Sequence, residues 1–269
     1  MDYLNRSAAP FAARVWDEID DAAIGAARER LTARRVLDVE GPYGPGLTSI
    51  EVGNDAYCRQ PDSGEAGAVV SRAIALPMLR KRFLLSLRRV AAYLENGLPL
   101  DMAPAEDAAE AVSAREDELI FQGQAEFGLS GLLTAPGRAR QAAGNWSDVD
   151  RALDDVLSAV TKLDDAGFRG PYAMILEPAL YNGLFRRYPG TDLMQLEHLR
   201  RLCTDGIHKA PITGGAVIDP RAGVLIIGQD LMAGYVGQDG IHYEFYLSES
   251  IALRLDDPEA VCSLDFNSA

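Results

Sequence analysis

The stretch that begins Leu47-Thr48-Ser49-Ile50-Glu51-Val52 and ends Ala66-Gly67-Ala68-Val69-Val70 has a polar centre, Gln60-Pro61-Asp62-Ser63-Gly64-Glu65. Two β-prone runs around such a turn predict a long hairpin between residues 47 and 76. A hairpin this polar has little core of its own, and isolated hairpins are only marginally stable in water. We therefore expect it to pack on another subunit, which is the first indication of assembly.

On the N-terminal side of the hairpin, an apolar stripe predicts an amphipathic helix that starts near Pro10, with Ser7 as a candidate cap. The stripe consists of Phe11, Val15, Ile19, Ala22 and Ala26. Two interpretations stay open. The helix packs on its own core, or it is an arm that lies along a wall and helps hold a partner's peptide.

On the C-terminal side, residues 101 to 122 give the strongest helix signal, with Pro104 near its start and Gly123 as its stop. The inward positions are Ala108, Val112, Leu119 and Ile120. The run Arg115-Glu116-Asp117-Glu118 is rich in carboxylates, but consecutive helical residues fan out by about 100° and do not converge on one ligand. We predict a solvated face, with room for one member in a buried ion pair.

The rest of the chain alternates helices and strands. Helices are predicted at 147–163, from Pro178 to about 190, and at 193–203. A turn followed by a buried strand is predicted within 170–176, and further strands at 215–219, 224–228, 241–247 and 251–255. There are no repeated βαβ units, so the fold class is α+β.

Composition narrows the function. The 269 residues include 40 acidic and 26 basic side chains, a formal charge of −14, and 48% are hydrophobic. Phosphate backbones are bound by clustered Lys and Arg, so we expect no nucleic-acid partner. No run of about 18 apolar residues crosses a bilayer, so we expect no membrane partner.

The compartment follows from the N-terminus and the cysteines. The start, Met1-Asp2-Tyr3-Leu4-Asn5-Arg6, lacks the features of a signal peptide. The three cysteines, Cys58, Cys203 and Cys262, are widely spaced and form no CxxC pair, so we expect buried, inert thiols and a cytoplasmic location.

Catalytic motifs are missing from the sequence. Its histidines, His198, His208 and His242, have no metal-ligand spacing, and neither GxSxG nor GxGxxG occurs. We predict no catalytic residue, no metal site and no enzyme. A soluble metabolic enzyme whose site is built from distant residues stays open as the alternative.

Several blocks, in order along nearly the whole chain, resemble the family 1 encapsulins, the linocin-like shell proteins. The blocks are Met1–Pro10, Trp16–Asp20, Arg34–Gly44, Glu116–Gly123, Gly131–Leu133, Gly170–Tyr172, Gly228–Leu231 and Gly234-Tyr235. The resemblance implies the Hong Kong 97-type phage capsid fold, with a peripheral P-domain, an extended E-loop and an axial A-domain.

The resemblance also implies a division of the chain. The expected parts are an N-terminal helix and the start of the P-domain at 1–46, the E-loop at 47–76, P-domain with its spine helix at 77–133, A-domain at 134–222, and P-domain strands at 223–269.

An encapsulin subunit assembles into a closed shell around a cargo enzyme. Identical contacts that close with icosahedral symmetry use sixty copies or a multiple, so the first partner is the chain itself. We expect a fivefold pore to be lined by a mobile segment made of Tyr188, Pro189, Gly190, Thr191, Asp192 and Leu193. Asp192 would make the opening favourable to small cations.

The family loads cargo through a C-terminal peptide of the cargo enzyme. Carried over by position, the binding residues on the inner wall are Arg34, Asp38, Met232, Ala233 and Tyr235. An ion pair between Arg34 and Asp38 within the subunit is an equal alternative. The expected cargo is a dye-decolorising peroxidase or a ferritin-like iron oxidase.

Some encapsulins hold a flavin on a Trp near the start of the P-domain helix. Here that stretch reads Phe83-Leu84-Leu85-Ser86-Leu87-Arg88-Arg89, so we predict no flavin and no other cofactor. Arg88 and Arg89 either meet phosphates or form a solvated face. A phage-type capsid protein is a further alternative, against which the charge of −14 counts, since packed DNA would face an acidic wall.

Overall fold

A computed structural model describes residues 2–57, 63–187 and 192–266. In these ranges the α-helices are α1 (Ala13–Arg30), α2 (Leu87–Asn96), α3 (Ala103–Gln122), α4 (Val149–Asp165), α5 (Pro178–Gly183) and α6 (Gln195–Leu199). The strands are β1 (Asp38–Glu40), β2 (Ser49–Tyr57), β3 (Val69–Ala75), β4 (Met78–Ser86), β5 (Gly123–Gln124), β6 (Leu129–Ser130), β7 (Ala139–Ala143), β8 (Ala173–Leu176), β9 (Gly206–Lys209), β10 (Gly215–Ile218), β11 (Gly223–Ile227), β12 (Met232–Asp239), β13 (His242–Leu255) and β14 (Val261–Phe266).

The first sheet is organised around β13. Its strand order is β1-β11-β13-β12, and β4 also pairs with β13. The sequence predicts two strands here, but the structure has one strand of 14 residues. Near its middle, Ser248 and Ser250 are buried, and Gln229 satisfies their hydrogen bonds. Its backbone N–H donates to Ser250 Oγ at 2.8 Å, and its side chain donates to Ser248 Oγ at 3.0 Å.

One face of this sheet is covered by α1 and α3. Aromatic rings fill the layer between: Phe83 stacks on Phe245 with centroids 5.2 Å apart, and Trp16 meets Phe245 edge-on at 5.6 Å. The predicted stripe of α1 is confirmed at Val15 and Ile19, which are buried. Its second half is shifted by one residue.

The helix starts at Ala13 rather than near Pro10, and Ser7 does not cap it. Steps of four residues from Val15 and Ile19 lead to Ala23 and Ala27, which are the buried small residues, whereas Ala22 and Ala26 are only partly buried.

The second sheet has the order β7-β14-β10-β8-β9, and α4 packs against it. The last strand, β14, pairs with β10 and β7. Of the strands in the segment 223–269, expected to belong to the P-domain, β11, β12 and β13 lie in the first sheet and Val261–Phe266 lies in the second. The strand β14 pairs with β7, which lies more than 100 residues earlier in the chain, and no local sequence pattern indicates such a pairing.

Strands β2 and β3 form the predicted hairpin, paired antiparallel with each other. Val69 and Val70 on β3 are each 52% exposed. At the base, Ile50 and Ile74 pack on a small cluster of Leu76, Ile226 and Ala252. The base of the hairpin therefore packs on its own subunit through apolar side chains, while the apolar side chains of Val69 and Val70, farther from the base, are exposed to solvent.

Two predicted elements are shorter in the structure. The helix expected from Pro178 to about 190 ends at Gly183, and the helix expected at 193–203 spans only Gln195–Leu199. Between α1 and the hairpin, the chain forms a 3-10 turn at Ala33–Arg35 followed by the short strand β1.

Candidate functional site

A buried ionic cluster forms where α1, α3 and the first sheet meet. Arg34 Nε donates to Glu116 Oε1 at 2.8 Å, and Nη2 donates to Glu116 Oε2 at 2.8 Å and to Glu249 Oε2 at 3.0 Å. Nη1 reaches Asp230 Oδ1 at 2.8 Å. Glu116 and Asp117 are fully buried, so the predicted solvated face is wrong at these two residues.

The 3-10 turn that carries Arg34 is held by Asp117 on α3. This carboxylate accepts the backbone N–H of Ala33 at 2.9 Å and that of Thr32 at 3.1 Å. Adjacent carboxylates on one helix therefore act on the same turn, one on its backbone and the other on the Arg34 side chain. Consecutive helical residues fan out too widely to share one ligand, but they can still hold different atoms of one turn.

Burial dominates the electrostatics of the cluster. It raises the pKa of Asp117 to about 6, against the two backbone hydrogen bonds. Burial and then the charge of Glu116 raise the pKa of Glu249 well above its ordinary value, although Arg34 opposes this. Burial also works against the charge of Arg34, but the hydrogen bonds and charge of Glu116 outweigh it and raise the pKa of the guanidinium.

The predicted cargo residues divide into separate environments. Arg34 is engaged by Glu116, Glu249 and Asp230 and not by Asp38, so the alternative ion pair with Asp38 is wrong. Asp38 lies exposed on β1, paired in register with Val224.

The other three residues lie on β12. Ala233 and Tyr235 are buried, and the Tyr235 ring packs on Phe245 at 5.7 Å, whereas Met232 is 41% exposed. Successive side chains of a strand point to opposite faces, so Ala233 and Tyr235 face the α1 side and Met232 faces away from it. The structure thus does not present these three side chains together.

The N-terminal segment covers the edge of β12. The Leu4 carbonyl accepts the N–H of Tyr235 at 2.9 Å, and Arg6 Nε donates to the Ala233 carbonyl at 2.8 Å. Arg6 also makes two 2.7 Å bonds to the Asp20 carboxylate on α1 and lies 4.5 Å from the centre of the Trp16 ring. The backbone beside Ala233 and Tyr235 is therefore already engaged by the subunit itself.

A shallow groove of about 210 Å³ lies between α1 and the segment before β12. Its apolar wall consists of Ile24, Ala27, Leu31 and Leu231, and its polar rim of Arg28, Arg34 and Asp230. Only Arg34 of the predicted set lines it. The sequence does contain a signal for this site, because Ile24 is a large apolar residue on the polar side of α1 and is 41% exposed.

Of the predicted pore loop, Tyr188, Pro189, Gly190 and Thr191 lie outside the described residues. Asp192 is 99% exposed and lies 3.6 Å from Arg187, and Leu193 is exposed. An antiparallel bridge between Arg187 and Met194 joins the two ends of the segment.

In the stretch that corresponds to the flavin site of some encapsulins, the aromatic residue Phe83 is buried and stacks on Phe245. Arg88 and Arg89 lie at the start of α2 and line a hollow of about 430 Å³.

Metal-ligating side chains do not form a site in the described ranges. No group of three or more His, Cys, Asp or Glu side chains there could hold a metal ion. Burial raises the pKa of the Cys203 thiol to about 12 and that of Cys262 to about 11, so both stay protonated at neutral pH. Cys58 lies outside the described residues. Within the described ranges, no helix combines the length and the apolar character needed to cross a membrane.

Two sheets, each packed against helices, and the β2–β3 hairpin define the class of protein. The fold is that of the Hong Kong 97-type capsid proteins. It is similar to the capsid of Myoviridae phage XM1 (TM-score 0.58, 18% identity, 85% of this chain and 88% of that one). It is also similar to the virus-like particle of Pyrococcus furiosus (TM-score 0.73, 23% identity, 93% of this chain and 99% of that one).

Residues 1–252 match the model of the Linocin_M18 family, described as encapsulating protein for peroxidase. The chain is 30% identical to the type 1 encapsulin shell protein EncA of Myxococcus xanthus over 277 aligned positions, covering 98% of this chain and 96% of that protein. The chain belongs to this family, the encapsulin shell proteins, and its fold is that of a subunit of a capsid-like cage.

Proposed function

We propose that sixty copies of this chain, or a multiple of sixty, close into a shell that loads a cargo enzyme through a peptide bound in the groove beside α1. Closure with sixty equivalent positions is the simplest icosahedral solution for a single repeated contact set. The observation that carries the loading proposal is the groove itself, whose apolar wall includes the exposed Ile24 and the half-buried Leu231 next to the polar groups of Asp230 and Arg28.

The groove suits an apolar side chain on a short peptide. Burial of one Leu or Ile side chain is worth about 2 kcal/mol, and the polar rim can satisfy backbone groups of the same peptide. Because Ala233 and Tyr235 are buried, we propose Leu231 and Ile24 as the apolar contacts of the peptide instead. Arg34 acts at the rim through Asp230, because its remaining nitrogens are engaged by Glu116 and Glu249.

The test compares cargo content in purified shells. Ile24→Glu places a charge in the apolar wall at an exposed position, where the fold tolerates it. We expect intact shells with cargo reduced by about tenfold or more, because a desolvated charge opposes peptide burial. The matched control is Ile241→Glu, which changes an exposed isoleucine in the turn between β12 and β13. Equal cargo in both variants and the wild type would refute the groove.

The family description supports a peroxidase as cargo, and a ferritin-like iron oxidase is the other candidate. Mass spectrometry of protein that remains with the shells through size-exclusion chromatography identifies the cargo. We further propose that the subunit itself is not a catalyst, binds no flavin or nucleic acid, and assembles in the bacterial cytoplasm.

The loop that joins the bridge residues Arg187 and Met194 is proposed to line a pore for small ions. Asp192 faces solvent beside Arg187, so the two charges partly offset each other and the cation preference is weaker than Asp192 alone would give. Arg187→Gln should therefore speed the entry of divalent cations, measured by quenching of a metal-sensitive dye inside the shell. An unchanged entry rate would place the pore lining elsewhere.

A further inference from the structure

A second hollow, of about 630 Å³, lies between the end of α1 and the β9 edge of the second sheet. Its volume falls in the range of about 300–1,000 Å³ that is typical of small-molecule sites. This hollow is separate from the cargo groove, because no residue lines both sites. They come next to each other at the end of α1, where Arg30 lines the hollow and Leu31 lines the groove.

Positive charge collects in this hollow of an acidic protein. Lys209 and Arg35 line it, and neither forms an ion pair with a carboxylate of the described residues. Arg35 donates to the Arg28 carbonyl at 2.7 Å, which leaves other guanidinium N–H groups for a ligand. Arg30 also lines the hollow but is 3.6 Å from Glu110, and Glu29 is the carboxylate at the rim.

The half-buried His208 responds to the same positive charge. His208 lines the hollow, and burial, followed by the charge of Arg35, lowers its pKa. A neutral His208 leaves Lys209 and Arg35 as the cations that face a bound anion.

Aromatic rings lie beside the cations. Tyr181 and Phe185 have ring centroids 5.7 Å apart, and the Lys209 ammonium is 5.0 Å from the centre of the Tyr181 ring. Phe185 is 49% exposed although it is a large apolar residue. An aromatic surface next to unpaired cations suits a ligand that has both a flat ring and an anionic group.

The walls are fixed before any ligand arrives. Thr32 Oγ donates to the Lys209 carbonyl at 2.8 Å, which ties the turn after α1 to β9. The same turn is held on its other side by Asp117. A site with rigid walls loses little conformational freedom when it binds.

We propose that this hollow binds an organic anion that carries an aromatic ring, of the class of the mononucleotides, with the phosphate on Lys209 and Arg35 and the ring on Tyr181 and Phe185. This site would give the shell wall a small-molecule ligand, a property beyond assembly and cargo loading.

Isothermal titration of assembled shells tests the proposal with three probes: adenosine monophosphate, adenosine, and inorganic phosphate. We expect adenosine monophosphate to bind with a Kd below about 1 mM, and each half alone to bind at least about tenfold more weakly. Raising the salt concentration should weaken the binding, because the phosphate contacts are partly exposed. Equal binding of inorganic phosphate would refute the aromatic part of the site.

The chain offers a matched control, since it has only three lysines, at positions 81, 162 and 209. Lys209→Gln and Tyr181→Leu should each weaken binding by about tenfold, and Lys81→Gln on β4 should leave it unchanged. Size-exclusion chromatography shows independently whether each variant still forms shells, so loss of the ligand is distinguishable from loss of assembly. No binding to intact shells, or equal binding by Lys209→Gln and the wild type, would overturn the proposal.

Discussion

Arg34 and Glu116 form a two-point contact in which Nε and Nη2 each lie 2.8 Å from one carboxylate oxygen. Glu116 is completely buried, and the Arg34 side chain is 19% exposed. This pair joins the turn after α1 to the middle of α3, and through Glu249 it reaches the centre of β13. Arg34, which the resemblance implies as a cargo-binding residue, therefore lies where the turn after α1, the helix α3 and the strand β13 meet.

Replacing this arginine should destabilise the subunit. Arg34→Ala leaves the carboxylates of Glu116 and Glu249 buried without a cation, a change that costs about 3–5 kcal/mol of unfolding free energy. Arg34→Lys should cost less, but it cannot restore the two-point geometry. Urea unfolding followed by circular dichroism measures both.

The control for that series is Arg82→Ala. Arg82 pairs with Glu244 at 2.9 Å, but its side chain is 65% exposed, so we expect a loss of less than about 1 kcal/mol. Similar losses for Arg34→Ala and Arg82→Ala would show that the buried cluster has no special role in stability.

The raised pKa of Asp117 predicts a dependence of stability on pH. Its value in the folded state, about 6, exceeds the ordinary value of 3.8, so the folded state binds the proton more tightly. The stabilisation is complete below pH 4 and is lost as the pH rises through 6, by up to about 3 kcal/mol. Between pH 4.5 and 7.5 the wild type should therefore lose more unfolding free energy than Asp117→Asn.

An exposed aspartate on the same helix controls for the general effect of charge. Asp107→Asn removes one negative charge from α3 at an exposed position, and should keep the pH dependence of the wild type. If Asp117→Asn also keeps it, then Asp117 does not titrate in this window.

The N-terminal segment should depend on Arg6. A double-mutant cycle with Arg6→Ala and Asp20→Ala should give a coupling free energy of about 1 kcal/mol, because the pair is bidentate and half-buried. The exposed pair of Arg200 and Glu197 should give about 0.3 kcal/mol. A coupling for Arg6 and Asp20 no larger than this would mean that other contacts hold the segment.

The hairpin can be removed without opening the subunit. Ser49 and Ala75 are paired in register, so a two-residue Asn-Gly turn can replace residues 50–74. We expect a variant that unfolds cooperatively but no longer forms closed shells, because residues 63–73 of the deleted segment are exposed in their own subunit. Shells of normal size from this variant would show that the hairpin is not an assembly element.

The sequence predicts the parts of the fold that depend on local pattern. Periodic apolar positions identify α1, α3 and α4, and the alternation around the polar segment identifies the hairpin. The union of two predicted strands into β13 was missed because Ser248, Glu249 and Ser250 look like a break. Their partners, Gln229 and Arg34, come from distant parts of the chain.

The same limit applies to the site. Arg34 could be found by resemblance, but its partners Glu116, Asp230 and Glu249 depend on tertiary packing. The sequence predicts Ala233 and Tyr235 as cargo-binding residues of the inner wall. Position along the chain does not tell which face of β12 a residue occupies until the strand register is known.

Assembly into a closed shell requires many copies of this chain to surround a cavity. Light scattering coupled to size-exclusion chromatography of the purified protein, with negative-stain images of the peak, measures the mass and the shape of the assembly. We predict closed, uniform particles of at least sixty 29.1 kDa chains, a mass of about 1.7 MDa or more. A single species of one or two chains at neutral pH and moderate salt would contradict it.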